Sequence, residues 1–502
     1  MSKCQSIGIA VLIFLMLACA LNAAWAQDST PPDAGATPQT GQETGQQEPV
    51  PAYGQQNAPP PIGDTENPPL SGIDVPGLEP HAAPLSYVQP GATISESADS
   101  NVESALGGQS VQSVSRALGS VTMQRLWSHY DLALDYIGGV AYYNLKGLGV
   151  KSLQQSDVDQ KITWKRGQLS LRDSFSYLPE GNFGGAYGSL GSQGIASLGN
   201  SAFGSFWSGG SLGTLGLAPR MLNVSLADVS ESLSAKSAIT AAGGYAFTHF
   251  YGSDETTGAP FLGSSQVSAQ VGYNRQLSAH TQIALVYGYQ GFDFNVLGSA
   301  FHSHIIQAMY GHRISGRMDF LIGAGPQFTT INSFTIFGTS SDQRLGVSGR
   351  AQLRYRFPKT SLGLSYDRYL TTGSGFFLGA QTDLAWLSVE RPLNRVWSGF
   401  ADFGYSRNSR QQPLSPQELA TCGGTGQPPC PGVDANTYST GFVGVGVHRA
   451  FGRNFHGFVS YQFNELGFDH SYCAGTPVCS RISNRHVGTI GLDWTPRPFR
   501  ID

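Results

Sequence analysis

The stretch Gln266-Val-Ser-Ala-Gln-Val-Gly-Tyr-Asn274 places Val267, Ala269, Val271 and Tyr273 on one parity and Gln266, Ser268, Gln270, Gly272 and Asn274 on the other. Successive side chains of an extended chain point to opposite sides, so this is a β-strand with one apolar and one wet face. The pattern returns in Ile283, Leu285, Tyr287 and Tyr289, in Phe320, Ile322, Ala324 and Phe328, in Leu362, Leu364 and Tyr366, and in Ala401, Phe403 and Tyr405. The opposing wet faces are mostly Ser, Gly, Gln and Thr. A strand of a soluble sandwich would show many charges to bulk water there, so the apolar face is the one expected to meet the surroundings. Composition agrees: 13% of the 502 residues are charged and 64 are glycine, which excludes a helical bundle. Beyond the N-terminus no run of 18 apolar residues could cross a membrane as a helix.

Connection lengths alternate. Short ones fall at 233–236, 276–280, 315–317, 358–360, 392–394 and 452–454, and longer ones at 252–263, 333–343, 408–436 and 469–483. Tight turns on one side and long loops on the other are the asymmetry of an up-and-down antiparallel transmembrane β-barrel. The spacing predicts about sixteen strands, with fourteen to eighteen allowed, from one near 129–143 to one near 484–496. Aromatics such as Tyr130, Tyr245, Tyr273, Tyr287, Tyr405, Tyr461 and Trp494 fall near strand ends, where a membrane interface favours them.

The N-terminal quarter is different material. Lys3, the apolar run Ile7 to Leu21 and the exit Ala24-Trp25-Ala26 read as a signal peptide over 1–26. Residues 27–115 hold half of the 28 prolines, eleven acidic residues and no Lys or Arg, which predicts an acidic, Pro/Gln-rich, disordered periplasmic arm unable to fold as a plug. Residues 116–126 read as a short connector, and 127–498 as the barrel. The part from Arg116 onward carries 29 basic and 23 acidic residues, spread without a cluster, so no nucleic-acid footprint is present. Export into an oxidising compartment favours short disulfides, Cys422 with Cys430 and Cys473 with Cys479, among the three connectivities that four cysteines allow. Neither spacing suits a metal.

From about residue 127 to 498 the chain resembles a bacterial outer-membrane β-barrel of the porin-like kind, on architecture and without a signature string. It departs from that kind after Trp494, where Thr-Pro-Arg-Pro-Phe-Arg-Ile-Asp502 follows the last alternating strand. A barrel of this size leaves an aqueous lumen. The expectation is a non-enzymatic pore in the outer membrane, without cofactor or metal, that touches lipid outside and passes small hydrophilic solutes inside. Arg350, Gln352, Arg354 and Arg356 share the wet parity of one strand, the next strand adds Ser361, Ser365 and Asp367, and Arg172, Asp131, Asp135, Asp319 and Asp402 have the same parity elsewhere. These are the expected pore-lining residues. They bias ions weakly toward anions, or are solvated residues of a wide lumen, or form Arg–Asp pairs that stiffen the wall.

Three further features stay open. The uncharged loop around Phe183, Tyr187, Phe203, Phe206 and Trp207 either folds inward or lies on the surface. Gly209-Gly-Ser211-Leu-Gly213 matches a nucleophile string without its strand–turn–helix context. His302 and His304 share a face near a rim without a carboxylate beside them. Two alternative functions follow: an export or surface-interaction barrel whose arm contacts the cell wall or a periplasmic partner, and a rim-located hydrolase.

Overall fold

The computed structural model describes residues 69–72, 86–102, 111–145, 149–178, 220–251, 263–294, 299–335, 338–373, 377, 379–411, 435–470 and 480–501. Among them, eighteen long strands form one closed sheet: β1 (Tyr87–Asp99), β2 (Gln112–Leu126), β3 (Tyr130–Tyr143), β4 (Gly149–Trp164), β5 (Gly167–Leu178), β6 (Arg220–Ser234), β7 (Ser237–Phe250), β8 (Ser264–Ser278), β9 (Thr281–Phe294), β10 (Ser299–Ser315), β11 (Met318–Thr335), β12 (Gly338–Arg356), β13 (Ser361–Thr371), β14 (Ala380–Pro392), β15 (Trp397–Arg410), β16 (Thr437–Phe451), β17 (Phe455–Phe468) and β18 (Ile482–Trp494). Each pairs antiparallel with the next, and β1 closes on β18 with Ala92 opposite Trp494 and Asp99 opposite Val487. This is an up-and-down barrel without a free edge, so every strand has a ladder on both sides.

The wall is inverted relative to a soluble protein. Outward positions are large and apolar yet exposed: Val267, Leu285, Ile322, Leu345 and Ile490 each keep about half or more of their surface. Inward positions are polar yet buried: Gln266, Gln290, Ser303, Gln327 and Ser348. They satisfy one another across the lumen face, with Gln327 donating to Ser303 at 2.9 Å, Gln307 to Ser348 at 2.9 Å and Thr382 to Asn408 at 2.7 Å. Exposed apolar area on this scale is stable only against lipid. Polar groups on the outer face pair within the wall: Asp173 accepts from Asn223 at 3.1 Å and from Ser225 at 2.5 Å, and Asp383 accepts from Arg368 at 3.1 Å.

All connections at one end are two to four residues long: 127–129, 165–166, 235–236, 279–280, 316–317, 357–360, 393–396 and 452–454. Exposed Trp127, Trp164, Phe357, Phe451, Phe455 and Trp494 ring this end, and Arg449 sits 5.3 Å from the Trp397 ring. An amphipathic ring beside a cation suits the height of lipid headgroups. The long connections lie at the other end. Inward apolar clusters lie there too, with the rings of Phe294 and Phe301 5.6 Å apart and those of Phe377 and Tyr438 5.1 Å apart.

Three sequence boundaries need correction. The barrel begins at Tyr87, so the expected arm gives up its last part to β1 and the start of β2, and the connector 116–126 is the body of β2. The reason is that β1 alternates without greasy contrast: Thr93, Ser95 and Ser97 point in while Ile94, Glu96 and Ala98 point out. Pro90 is tolerated in β1 because it sits where the ladder toward the C-terminus is interrupted, between Val88 and Ala92. The interruption belongs to Pro496 and Pro498, after which β19 (Phe499–Arg500) resumes pairing with Tyr87 and Val88. The tail beyond Trp494 thus continues the last strand past a proline break. Finally, the expected loop 333–343 is strand: β11 and β12 run on as a hairpin to the pair Thr335–Gly338.

Candidate functional site

The chemistry of this barrel lies on its inner wall, and alternation places each residue there. On β12 the outward set includes Leu345 and Val347, so Arg350, Gln352, Arg354 and Arg356 project inward. Register then brings partners. Arg354 lies opposite Asp319 of β11 and Arg350 opposite Asp367 of β13. Arg354 donates through Nε and Nη2 to the two Asp319 oxygens at 3.0 and 3.1 Å, and Arg350 donates through Nε to Asp367 at 3.0 Å. Arg172 on β5 is inward, 3.4 Å from Asp159 and 3.7 Å from Asp228. Asp402 on β15 is inward and buried. The structure therefore gathers Arg172, Asp319, Arg350, Gln352, Arg354, Arg356, Asp367 and Asp402 on the inner face and joins five of these eight in ion pairs with one another or with neighbouring aspartates. Of the arrangements left open by the sequence, Arg–Asp pairs are present in this geometry.

Residues that sequence reading missed complete the picture. Asp157 and Asp159 of β4 and Asp228 of β6 face inward beside Arg172 and Lys161. Asp157 stands directly across the ladder from Asp135, and Asp159 across from Arg172. The signal was available, because Asp157, Asp159 and Lys161 share one parity within the strand expected at 157–165, which the structure extends back to Gly149. Between this acidic wall and the arginine wall, the inward positions of β7, β8 and β9 carry no charge: Thr240, Ala242, Gln266, Ser268, Gln270, Asn274, Gln282, Ala284, Val286 and Gln290 among them.

That neutral sector is occupied. Pro69-Leu-Ser-Gly72 forms a turn inside the barrel, closed by Gly72 N–H to Pro69 O at 2.9 Å. Asn274 Oδ1 accepts from Leu70 N–H at 3.1 Å, and the Ser71 carbonyl accepts from Thr240 Oγ1 at 2.9 Å and Gln270 Nε2 at 2.8 Å. Leu70 is buried against Ala284, Val286, Met309 and Leu321. The expectation of an arm disordered throughout is corrected for these four residues, which dock on the inner wall. Composition averages over the arm, whereas docking needs only one apolar side chain and a turn with matched hydrogen bonds.

Other candidates fall away from the lumen. His302 and His304 point outward and contact the hydroxyls of Tyr289 and Tyr287 at 2.9 and 2.8 Å, as His486 contacts Tyr461 at 2.7 Å. Among the described residues no cluster of three or more His, Cys, Asp or Glu is arranged to hold a metal. The four cysteines Cys422, Cys430, Cys473 and Cys479, the aromatic loop, Gly209–Gly213 and the signal segment lie outside the described residues.

A closed antiparallel sheet with a lipid-compatible exterior and a polar, charge-paired interior defines a transmembrane β-barrel. No family model and no curated protein matches the sequence. Among solved structures the chain is similar to the outer membrane protein opdK from Pseudomonas aeruginosa, with a TM-score of 0.40 and 8% identity over 82% of this chain and 99% of that one. OccK9 (OpdG) of the same organism gives a TM-score of 0.39 and 11% identity, covering 82% and 98%. OccK2 (OpdF) solved in complex with glucuronate gives 0.38 and 8%, also covering 82% and 98%. At such scores the likeness extends to no individual residue of the lumen.

Proposed function

We propose that this protein is an outer-membrane pore through which small hydrophilic solutes diffuse passively, with a weak preference for anions. The observation that carries the reading is the inverted wall: eighteen strands with grease outside and hydroxyls, amides and paired charges inside. Side-chain hydroxyls and amides along the wall exchange hydrogen bonds with a passing solute and so lower the cost of shedding part of its hydration. Arg350, at 37% side-chain exposure, offers an anion a contact beside its aspartate partner. The preference is local to this wall, and it is weak because Arg350 and Arg354 are each ion-paired with an aspartate and the inner face of β3–β6 is acidic.

The chain enters β1 and leaves β18 at the tight-turn end, which supports a periplasmic position for both ends and for the arm, and an outer position for the long loops. The cell-wall contact expected of the arm belongs to the stretch upstream of Pro69. Liposomes loaded with the purified, refolded full chain test the pore. Swelling in isotonic sugars should fall steadily with sugar size and vanish for a non-permeant polymer. Equal, protein-independent swelling rates for every sugar would reject the reading.

A further inference from the structure

The seat of Pro69–Gly72 is built, on three separate grounds. First, Ala284, Val286, Met309 and Leu321 make an inward apolar patch that an open aqueous lumen would leave wet, and Leu70 covers it. Second, two inward glycines make room for the turn. A Cβ on Gly272 would stand 2.5 Å from Ser71 Cβ, and one on Gly311 would stand 2.8 Å from a Leu70 methyl. Third, four hydrogen bonds with three wall side chains hold the backbone and the hydroxyl of the turn: Thr240 and Gln270 bond to Ser71, and Asn274 accepts from Leu70 N–H. Glycine as the last residue of the turn agrees with this local geometry.

We propose that the neutral sector of the lumen is a binding site for a short, uncharged peptide turn, and that Pro69–Gly72 is its tethered occupant, a plug whose release widens the pore. The proposal rests on the pore reading above. Seat and plug carry no charge, so nothing electrostatic fixes the turn, and a single buried leucine with four hydrogen bonds holds it. Leu70 also borders a cavity lined by Gln352, Arg354 and Asp319, so release enlarges the space directly beside the arginine wall. A free oligopeptide with a small apolar residue and an adjacent hydroxyl has the chemistry to compete for the same seat.

Ser71 Oγ and Thr240 Oγ1 are 2.8 Å apart, so the double variant Ser71→Cys with Thr240→Cys brings two thiols within bonding reach. In the full chain the oxidised form should show the new cross-link by peptide mass mapping, and reduction should raise single-channel conductance by about twofold or more. Each single-cysteine variant controls for reduction of the native cysteines and should show no such step. Gly311→Val, which pushes Leu70 off its seat, should show the wider conductance without any reductant. A proven cross-link with equal conductance before and after reduction would overturn the plug and leave the pore standing. Failure to cross-link in a chain that still shows heat-modifiable barrel mobility would overturn the seat. Silence of every form, wild type included, would remove the pore and the plug together.

Discussion

The inner faces of β3–β6 and of β10–β13 are built on the same alternation, present similar apolar exteriors, and differ in sign. Toward the turn end of β3–β6, Asp131, Asp135, Asp157, Asp159 and Asp228 outnumber Lys161 and Arg172, an excess of three negative charges. On β10–β13, Arg313, Arg350, Arg354 and Arg356 outnumber Asp319 and Asp367, an excess of two positive charges. The neutral strands β7–β9 stand between them and hold the docked turn. Lipid requires only that the outer parity be apolar, and it leaves the inner parity free. Function is therefore written in the inner residues alone, as a field running from one wall toward the other.

The largest expected effect comes from inverting one wall. Replacing Arg350, Arg354 and Arg356 together by Glu changes six charge units and sets carboxylates against Asp319 and Asp367. In planar bilayers under a tenfold KCl gradient the reversal potential should move toward cations, by on the order of 10 mV or more. An unchanged value would mean that the arginine wall does not face the permeation path. A smaller effect of opposite sign is expected from Asp157→Asn with Asp159→Asn, which removes two charges from the acidic wall and should shift the potential toward anions by about a third as much. Both shifts should shrink in 1 M salt, where screening falls to about 3 Å. Shifts of the same sign from the two walls would dissolve the contrast between them.

Most of the wall was legible because its two faces differ in polarity at every second residue. Sixteen strands show that contrast, and all sixteen are present. β1 and β2 escaped because small and polar residues such as Thr93, Ser95, Ala98 and Ser113 occupy both parities, so the period remains but its amplitude is lost. The parity of Arg350, Arg354 and Asp367 was readable, whereas their pairing was not. Pairing depends on register, and register is set by the turns and the closure of the whole sheet. Leu70 could not be found from the arm itself. It left a trace on the strands, where inward-parity Ala284, Val286, Met309 and Leu321 with Gly272 and Gly311 form an apolar hollow on a wet wall.

The inverted wall is tested most directly by two cysteines at one depth. Gly323, next to outward Ile322, lies opposite inward Arg350, so Ile322→Cys and Arg350→Cys sit side by side on opposite faces of the sheet. With the full chain in bilayers, a water-soluble charged thiol reagent should modify the residue at 350 and spare the one at 322, as read by peptide mass, because a thiol in lipid does not ionise. A lipid-soluble reagent should reach 322. Rapid modification at 322 by the water-soluble reagent, together with protection at 350, would contradict a barrel with lipid outside and water within.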